Sequence, residues 1–213
     1  MRVLTWNLFH GRAVPSAGRP LLNAFAATIA GWDWDLALLQ EVPPWWPPLL
    51  AVAAGADHRS ARTSRNWALR VRRAIASRAP DLLKANGGGA NAILARVPIH
   101  GHRVVELTRW PERRVAHGVQ LADGTWVVNL HATRRPKART RADVATAVAA
   151  WAGTGRLILG GDFNLRDLRL HGLEHAGGHG VDHVFTRGLS GTGAQVLDAG
   201  MLSDHRPVLA TLR

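Results

Sequence analysis

Polar side chains that can bind a metal ion or transfer a proton stand at the ends of short apolar runs at six places along the chain. A single acid at the end of a strand is usually a turn residue or a helix cap. Six such places favour another interpretation, because carboxylates, amides and imidazoles that converge at strand ends are what a phosphoryl-transfer site with a hard cation requires. The candidates are Asn7, Glu41, His131, Asp162, Asn164, Asp182, Asp204 and His205.

Two of these segments are the most specific. In the segment Gly160 to Asn164, two glycines let the backbone turn sharply and place Asp162 and Asn164 side by side after a predicted strand. In the segment Ser203 to Pro207, a carboxylate next to an imidazole offers a metal ligand and a proton-transfer group together. Both segments therefore predict parts of one catalytic site.

The elements that must position these residues are predicted mainly as strands. Short runs rich in Val, Leu and Ile recur between turn signals. Asp123-Gly124, between two of the runs, predicts a two-residue hairpin and hence antiparallel neighbours. The predicted strands are 2–6, 36–39, 92–95, 104–107, 115–121, 125–130, 157–159, 181–185 and 208–212.

Helical periodicity is confined to three segments: 21–30, the stretch with Trp67, Val71 and Ile75, and 139–151. Hairpins and a few helices, with no repeat and no long linker, favour two β-sheets packed face to face with helices outside. The glycines 87–89 are interpreted as a turn before the next strand and not as a boundary. We expect residues 1–213 to form a single domain.

Composition restricts the chemistry of the site and of its partners. The chain has no cysteine, so a metal must bind to carboxylate, amide or imidazole groups. The formal charge of +12 fits a polyanionic partner. Nearly all the basic residues are arginine, with Lys84 and Lys137 the only lysines, and such a bias can also reflect genome composition. Without a predicted membrane span or signal peptide, we expect a soluble, cytoplasmic protein with no obligate protein partner.

Seven short motifs, in order along essentially the whole chain, resemble those of the endonuclease/exonuclease/phosphatase superfamily, whose fold is that of DNase I. The combination of Gly-Asp-Phe-Asn with Ser-Asp-His near the C-terminus is the most specific part of the resemblance. The motifs are Thr-Trp-Asn at 5–7, Leu-Gln-Glu at 39–41, Asn-Ala-Ile-Leu-Ala-Arg at 91–96, Asn-Leu-His at 129–131, Gly-Asp-Phe-Asn at 161–164, Val-Asp-His-Val-Phe at 181–185 and Ser-Asp-His-Arg-Pro at 203–207.

The resemblance implies a four-layered α/β sandwich, with two mixed sheets face to face, helices on the outside and the site at one end. It implies Glu41 as the principal ligand of Mg²⁺ or Mn²⁺, with Asn7 and Asp204 close enough to bind the ion directly or through water. It also implies that Asp162 orients or deprotonates the attacking water.

By the same resemblance, Asn164 and His131 bond the phosphoryl oxygens, while Asp182 fixes and polarises a cationic His205. Arg114 matches a less specific family position that contacts phosphate. Arg134 and Arg135, which follow His131 closely, are further candidates for substrate contact.

The chain departs from the pattern after Asn7, where some family nucleases have a further acid; we therefore expect one metal ion. His10 could replace that ligand or contact substrate, but a lone loop histidine is more often a surface residue. His171, His175 and His179 are regularly spaced, but the glycines around them favour a mobile loop over a second metal site. Trp45 and Trp46, between prolines, could stack on bases, enter a lipid interface or pack in the core.

The leading functional hypothesis is a Mg²⁺-dependent phosphodiester hydrolase, a nuclease acting on DNA or RNA. Two alternatives stay open: a phosphatase or sphingomyelinase-like phosphodiesterase that acts on a small or lipid phosphate, and a non-catalytic basic module that binds nucleic acid. The sequence does not choose between endonuclease and exonuclease, because one fold hosts many functions.

Overall fold

Two six-stranded β-sheets pack face to face in the computed structural model, which describes residues 1–64, 66–79, 82 and 89–213. The strands are β1 (Arg2–Asn7), β2 (Leu36–Val42), β3 (Asp57–Arg62), β4 (Ala90–Ala95), β5 (Ile99–Thr108), β6 (Arg114–Leu121), β7 (Trp126–His131), β8 (Leu157–Asp162), β9 (Glu174–His179), β10 (Asp182–Arg187), β11 (Gly191–Val196) and β12 (Val208–Leu212). The α-helices are α1 (Leu22–Gly31), α2 (Pro47–Ala54), α3 (Leu69–Ala76) and α4 (Lys137–Ala150). A 3₁₀ turn covers Phe9–Gly11.

Both sheets are mixed, as predicted. The first has the order β11-β12-β1-β2-β4-β3 and the second the order β5-β6-β7-β8-β10-β9. In each sheet one parallel pair lies near the centre, β1 with β2 and β7 with β8, and the other neighbours are antiparallel. Parallel strands end at the same edge of a sheet, so the residues that end these four strands lie at one rim of the sandwich.

Three apolar clusters pack between the layers of the sandwich and hold them together. The inner cluster, with Val3, Leu38 and Val127, lies between the sheets. One outer cluster joins the first sheet to Phe25 of α1 and Leu50 of α2, whereas the other joins the second sheet to α4. The expected four-layered sandwich is therefore confirmed.

The predicted strands and the three predicted helices are all present, most of them longer by one to a few residues. The hairpin at Asp123-Gly124 joins the antiparallel pair β6 and β7. Helix α2 was not predicted; it begins with two prolines, which fit the first turn of a helix because that turn needs no N–H partner. Gly87 and Gly88 lie outside the described residues.

Strands β3, β9 and β11 were also not predicted. The prediction of a mobile loop around His175 and His179 is wrong, because both residues belong to β9, which pairs with β10. His175 Nε2 lies 3.1 Å from His183 Nδ1, and His183 Nε2 donates to the carbonyl of Leu165 at 2.9 Å. These contacts and the pairing with β10 hold the segment in place.

Trp46 packs in the core, which was one of its three predicted roles. It is 4% exposed, and its ring centroid lies 5.5 Å from that of Phe25. Trp46 is therefore not available to stack on a base or to enter a lipid surface. Among the described residues, no helix has the length and apolar character needed to span a bilayer.

Candidate active site

All but one of the predicted site residues line a single cleft of about 400 Å³ at this rim of the sandwich. The strand register explains their meeting. Asn7 pairs with Gln40 across β1 and β2, His131 pairs with Asp162 across β7 and β8, and Asp182 begins β10 opposite Asp162. The predicted residues that line the cleft are Asn7, Glu41, Arg114, His131, Arg134, Arg135, Asp162, Asn164, Asp204 and His205.

Asp162 is buried at the centre of the site. Its Oδ2 accepts a hydrogen bond from Asn7 Nδ2 at 3.0 Å, and its Oδ1 accepts one from the backbone N–H of Asn164 at 2.9 Å. His131 Nε2 lies 3.4 Å from the same Oδ2. Burial, together with the nearby Asp182, raises the pKa of Asp162, so this carboxylate can take up a proton near neutral pH.

The backbone before Asp162 requires glycine. Gly161 has φ of +137°, and a Cβ atom at this position would lie 2.0 Å from the carbonyl oxygen of Leu130. Asn164 also has a positive φ, of 52°, and its side chain donates to the carbonyl of Ala132 at 2.9 Å. The turn therefore holds the acid and the amide in the same cleft, as the motif predicted.

His131 is held neutral and oriented by Arg114. Arg114 Nη1 lies 3.0 Å from His131 Nδ1, and since a guanidinium only donates, Nδ1 must accept and the ring proton must be on Nε2. Burial and the charge of Arg114 lower the pKa of His131 well below its ordinary value. Arg114 in turn donates to Glu112 at 2.7 Å. His131 thus presents an N–H group to the centre of the site.

Asp182, the predicted residue outside the cleft lining, lies behind His205 and bonds its ring. His205 Nδ1 is 2.7 Å from Asp182 Oδ2, and Asp182 is 3% exposed. Burial of His205 opposes its charged form, but the hydrogen bond to Asp182 and the charges of Asp182 and Asp162 raise the pKa of His205 to about 9. His205 is therefore a cation at neutral pH, with Nε2 3.9 Å from Asp162 Oδ2.

Ser203 fixes the loop that carries Asp204 and His205. It has a positive φ, of 67°, its hydroxyl donates to the carbonyl of Asn7 at 2.6 Å, and the same oxygen accepts the N–H of His205 at 3.1 Å. The C-terminal motif is thereby bonded to the end of the first strand. The side chain of Asp204 stays 45% exposed, with Oδ1 3.9 Å from His205 Nε2.

Glu41 lies on the opposite side of the cleft, next to two histidines. His10 Nε2 is 3.0 Å from Glu41 Oε2, and His131 Nδ1 is 3.8 Å from Oε1. Burial favours the neutral acid, but the hydrogen bond and charge of His10, followed by the charge of Arg114, hold the pKa of Glu41 well below its ordinary range. Glu41 is thus ionised, as a metal ligand must be.

His10 is the site residue that the sequence pattern alone did not assign. Its side chain is 17% exposed, so the common interpretation of a loop histidine as a surface residue does not apply. The 3₁₀ turn Phe9–Gly11 brings it to Glu41. This turn needs a glycine at position 11, because the Cβ of any other residue would lie 2.3 Å from the Trp46 ring. The signal in the sequence that could have identified it is a histidine three residues after Asn7 and directly before Gly11.

The donor set fits a hard divalent ion. Among the described residues, Asp162, Asp182 and His205 offer ligand atoms within 4.8 Å of one another. The predicted ligands Asn7, Glu41 and Asp204 line the same cleft and offer further oxygen atoms. Oxygen-rich groups of this kind suit Mg²⁺ or Mn²⁺.

The rim of the cleft is basic. Arg134 and Arg135 are exposed, and in the part of the chain that the structure describes neither has an acidic partner. Lys137 Nζ donates to the carbonyl of Asn164. The arginines of β3 and α3 do not line the cleft, and Arg65 lies outside the described residues.

Comparison with known protein families identifies the chain. A profile described as the endonuclease/exonuclease/phosphatase family matches residues 4–205, a range that contains the predicted site residues from Asn7 to His205. The chain belongs to the endonuclease/exonuclease/phosphatase family. It is therefore a phosphoester hydrolase of a metal-dependent family, and the alternative of a non-catalytic binding module is wrong.

Solved structures of family members share the fold over the whole chain. A mannosyl-6-phosphatase from Bacteroides thetaiotaomicron is 17% identical, with a TM-score of 0.74 and 100% of this chain and 99% of that chain covered. The human Nocturnin catalytic domain with bound sulfate is 17% identical, with a TM-score of 0.71 and coverage of 100% and 94%. A family protein from Beutenbergia cavernae is 19% identical, with a TM-score of 0.75 and coverage of 100% and 71%. At these identities the likeness shows the fold alone, and no curated protein sequence matches the chain.

Proposed function

We propose that the protein is a divalent-metal-dependent phosphodiesterase that cleaves nucleic acid by in-line attack of water. The observation that carries this proposal is the arrangement around buried Asp162, where Asn7 and His131 lie within 3.4 Å of its Oδ2 and His205 lies 3.9 Å away. These groups offer a base, donors and a cation to one small volume. Such a set is what phosphoryl transfer to water needs.

Asp162 is the proposed general base. A general base works best when its pKa lies near the working pH. The raised pKa of Asp162 is closer to neutral pH than the pKa of an ordinary surface carboxylate, so Asp162 is the better proton acceptor. Asn7 and the backbone N–H of Asn164 each donate to a different oxygen of Asp162, so the carboxylate is held in one orientation. The attacking water would donate a hydrogen bond to the Asp162 carboxylate from the cleft.

His205 and His131 are the proposed electrostatic partners of the phosphoryl oxygens. His205, kept cationic by Asp182, offers a charged N–H from Nε2, whereas neutral His131 offers an uncharged one. Negative charge that builds on the phosphoryl oxygens in the transition state would be stabilised more strongly than that of the ground state. Glu41, Asn7 and Asp204 would hold a Mg²⁺ or Mn²⁺ ion, which when bound polarises a phosphoryl oxygen.

Nucleic acid is the proposed substrate class because the rim offers two arginines, Arg134 and Arg135, that have no acidic partner among the described residues, in a chain of net charge +12. A polymeric phosphodiester would contact both arginines beyond the reacting phosphate. The hint toward a lipid phosphate came from Trp45 and Trp46, and burial of Trp46 in the core removes much of it. We therefore favour the nuclease over a lipid or small-molecule phosphatase.

A turnover assay tests the proposal. Hydrolysis of bis-p-nitrophenyl phosphate should require Mg²⁺ or Mn²⁺, and Glu41→Gln and Asp162→Asn should each lower kcat by roughly 100-fold or more. Glu106→Gln and Asp33→Asn are matched controls, because both acids are exposed and neither lines the cleft. Metal-independent hydrolysis, or variants as active as the controls, would contradict the proposed site.

Product analysis on defined single-stranded and double-stranded oligonucleotides, beside an inositol phosphate and sphingomyelin, separates the substrate classes. Activity on oligonucleotides should fall steeply as salt rises, whereas a monophosphate ester should show a shallow dependence. Arg134→Ala with Arg135→Ala should reduce the slope of that salt dependence by about 2, one for each phosphate contact. Activity confined to the lipid or sugar phosphate would refute the nuclease proposal.

A further inference from the structure

The catalytic cleft opens into a second, larger cleft of about 1040 Å³. Glu41, Arg114 and His131 line both, so a phosphate bound at the catalytic residues would extend its substituent into the larger space. The far walls of the larger cleft come from the segment with Thr63 and Trp67 and from the segment 111–113. A large chemical group next to the scissile phosphate would therefore meet Trp67.

Trp67 is exposed to an extent that core packing does not explain. The residue is 73% exposed, although it is one of the largest apolar side chains of the chain and lines this cleft. The guanidinium carbon of Arg72 lies over the ring, 5.2 Å from its centroid, and holds it by a cation–π contact. A ring that is supported by a cation and still mostly exposed offers an aromatic surface for stacking.

The segment that carries Trp67 is bonded in place. Asn66 Nδ2 donates to the carbonyls of Thr63, at 2.7 Å, and Gly89, at 3.0 Å, and the N–H of Thr63 also donates to Gly89. Across the cleft wall, the N–H of Arg113 donates to the hydroxyl of Ser64. These bonds position the aromatic surface before any substrate arrives, which lowers the entropic cost of stacking on it.

We propose that Trp67 is a specificity-determining residue, on which an unpaired nucleobase adjacent to the scissile phosphate stacks, so that the protein prefers single-stranded nucleic acid. The inference rests on the proposed phosphodiesterase function and names its substrate more closely. Bases of a duplex are stacked on each other and do not present a face to a protein side chain, whereas those of a single strand do. The exposed Arg134 and Arg135 would bind neighbouring phosphates of the same strand.

The test compares substrates with and without bases. A short single-stranded oligothymidylate is offered beside a strand of the same length built from tetrahydrofuran abasic units, which has the same phosphodiester backbone. Trp67→Ala should lower kcat/KM on the oligothymidylate by roughly 5- to 100-fold, mainly through KM, and should leave the abasic strand unchanged. Trp67→Phe, which keeps an aromatic ring, should retain most of the activity.

Trp110→Ala is the matched control, because Trp110 is 80% exposed but does not line the cleft. It should behave as the unaltered protein on both strands, and thermal unfolding midpoints verify that each variant is folded. If Trp67→Ala cleaves the oligothymidylate as fast as Trp110→Ala, the stacking proposal is overturned while the phosphodiesterase proposal stands. If the unaltered protein with Mg²⁺ or Mn²⁺ cleaves neither strand nor a duplex, the proposed function fails and the inference with it.

Discussion

At the residue scale, the charge of His205 depends most on the buried carboxylate of Asp182. Asp182 is 3% exposed and lies 2.7 Å from His205 Nδ1, so its negative charge acts on the ring with little screening by water. Burial alone would lower the pKa of His205, yet the pKa stands at about 9. Asp182 therefore holds the ring in one orientation and favours its charged form.

Asp182→Asn should move the alkaline limit of activity. If cationic His205 stabilises the transition state, activity is retained below the pKa of His205 and lost as the pH rises through it, near pH 9 in the unaltered protein. The variant amide lacks the charge, so the pKa of His205 should fall toward its ordinary value and the limit should move with it. At pH 8 we expect a loss in kcat of roughly 10- to 100-fold.

The measurement is a pH profile of kcat and kcat/KM for both proteins, with Asp33→Asn as the exposed control. A variant that lost activity equally at every pH would show that Asp182 holds the loop in place without setting the charge of His205.

At the scale of the elements, a β-bulge in β2 places Glu41 in the cleft. The pairing of β2 with β4 shifts register between Leu39 and Val42, and Glu41 within the bulge has a positive φ, of 51°. Asn129 of the opposite sheet reaches across, and its Nδ2 donates to the carbonyls of Leu39 at 2.9 Å and Ala92 at 2.8 Å. Asn129 thereby bonds carbonyl groups of both strands beside the bulge.

Asn129→Leu should destabilise the fold by roughly 3 kcal/mol, because two buried carbonyls lose their donor. It should also reduce activity, since the bulge that holds Glu41 would relax. Asn91→Leu is the graded comparison: its side chain is equally buried but donates to one carbonyl, that of Val115 at 3.0 Å. Urea unfolding gives both free energies, and an equal cost for the two variants would show that Asn129 has no special relation to the bulge.

At the scale of the whole molecule, a neutral histidine is enclosed between the sheets. His117 of β6 is 0% exposed, and its Nδ1 lies 3.2 Å from His102 Nε2. Burial, followed by the effect of His102, lowers the pKa of His117 to about 3. In the unfolded chain the pKa of this imidazole would lie near its ordinary value of 6.5, so the unfolded state binds a proton first as the pH falls.

The contribution of His117 to stability is therefore present above about pH 6.5 and decreases as the pH falls from there toward 3. One proton of difference corresponds to about 3 kcal/mol lost between pH 7 and pH 4.5. His117→Leu should remove this part of the acid sensitivity, and urea unfolding at both pH values measures the difference. A variant whose stability falls with acid as steeply as that of the unaltered protein would refute the assignment.

Local composition predicted the inner strands but not three at the sheet edges. Strands such as β8 are continuous apolar runs because both faces are covered, and the pattern is visible in the sequence. Strands β3, β9 and β11 are edge strands whose residues are mostly polar, small or exposed. Their extended form comes from hydrogen bonds to the neighbouring strands β4, β10 and β12, so the residue pattern of each strand by itself does not reveal it.

The sequence by itself determined the family and which chemical groups the site contains. Each motif is a short contiguous segment, so its turn residues and its side chains can be read without knowledge of the rest of the fold. Only the tertiary structure decided which partner each group meets. Arg114 orients His131, His10 lies against Glu41, and Trp67 stands in a cleft that opens from the catalytic one. Such neighbours are set by sheet register and layer packing, which depend on the whole chain, and they decide the charge of each group and the surface that a substrate meets.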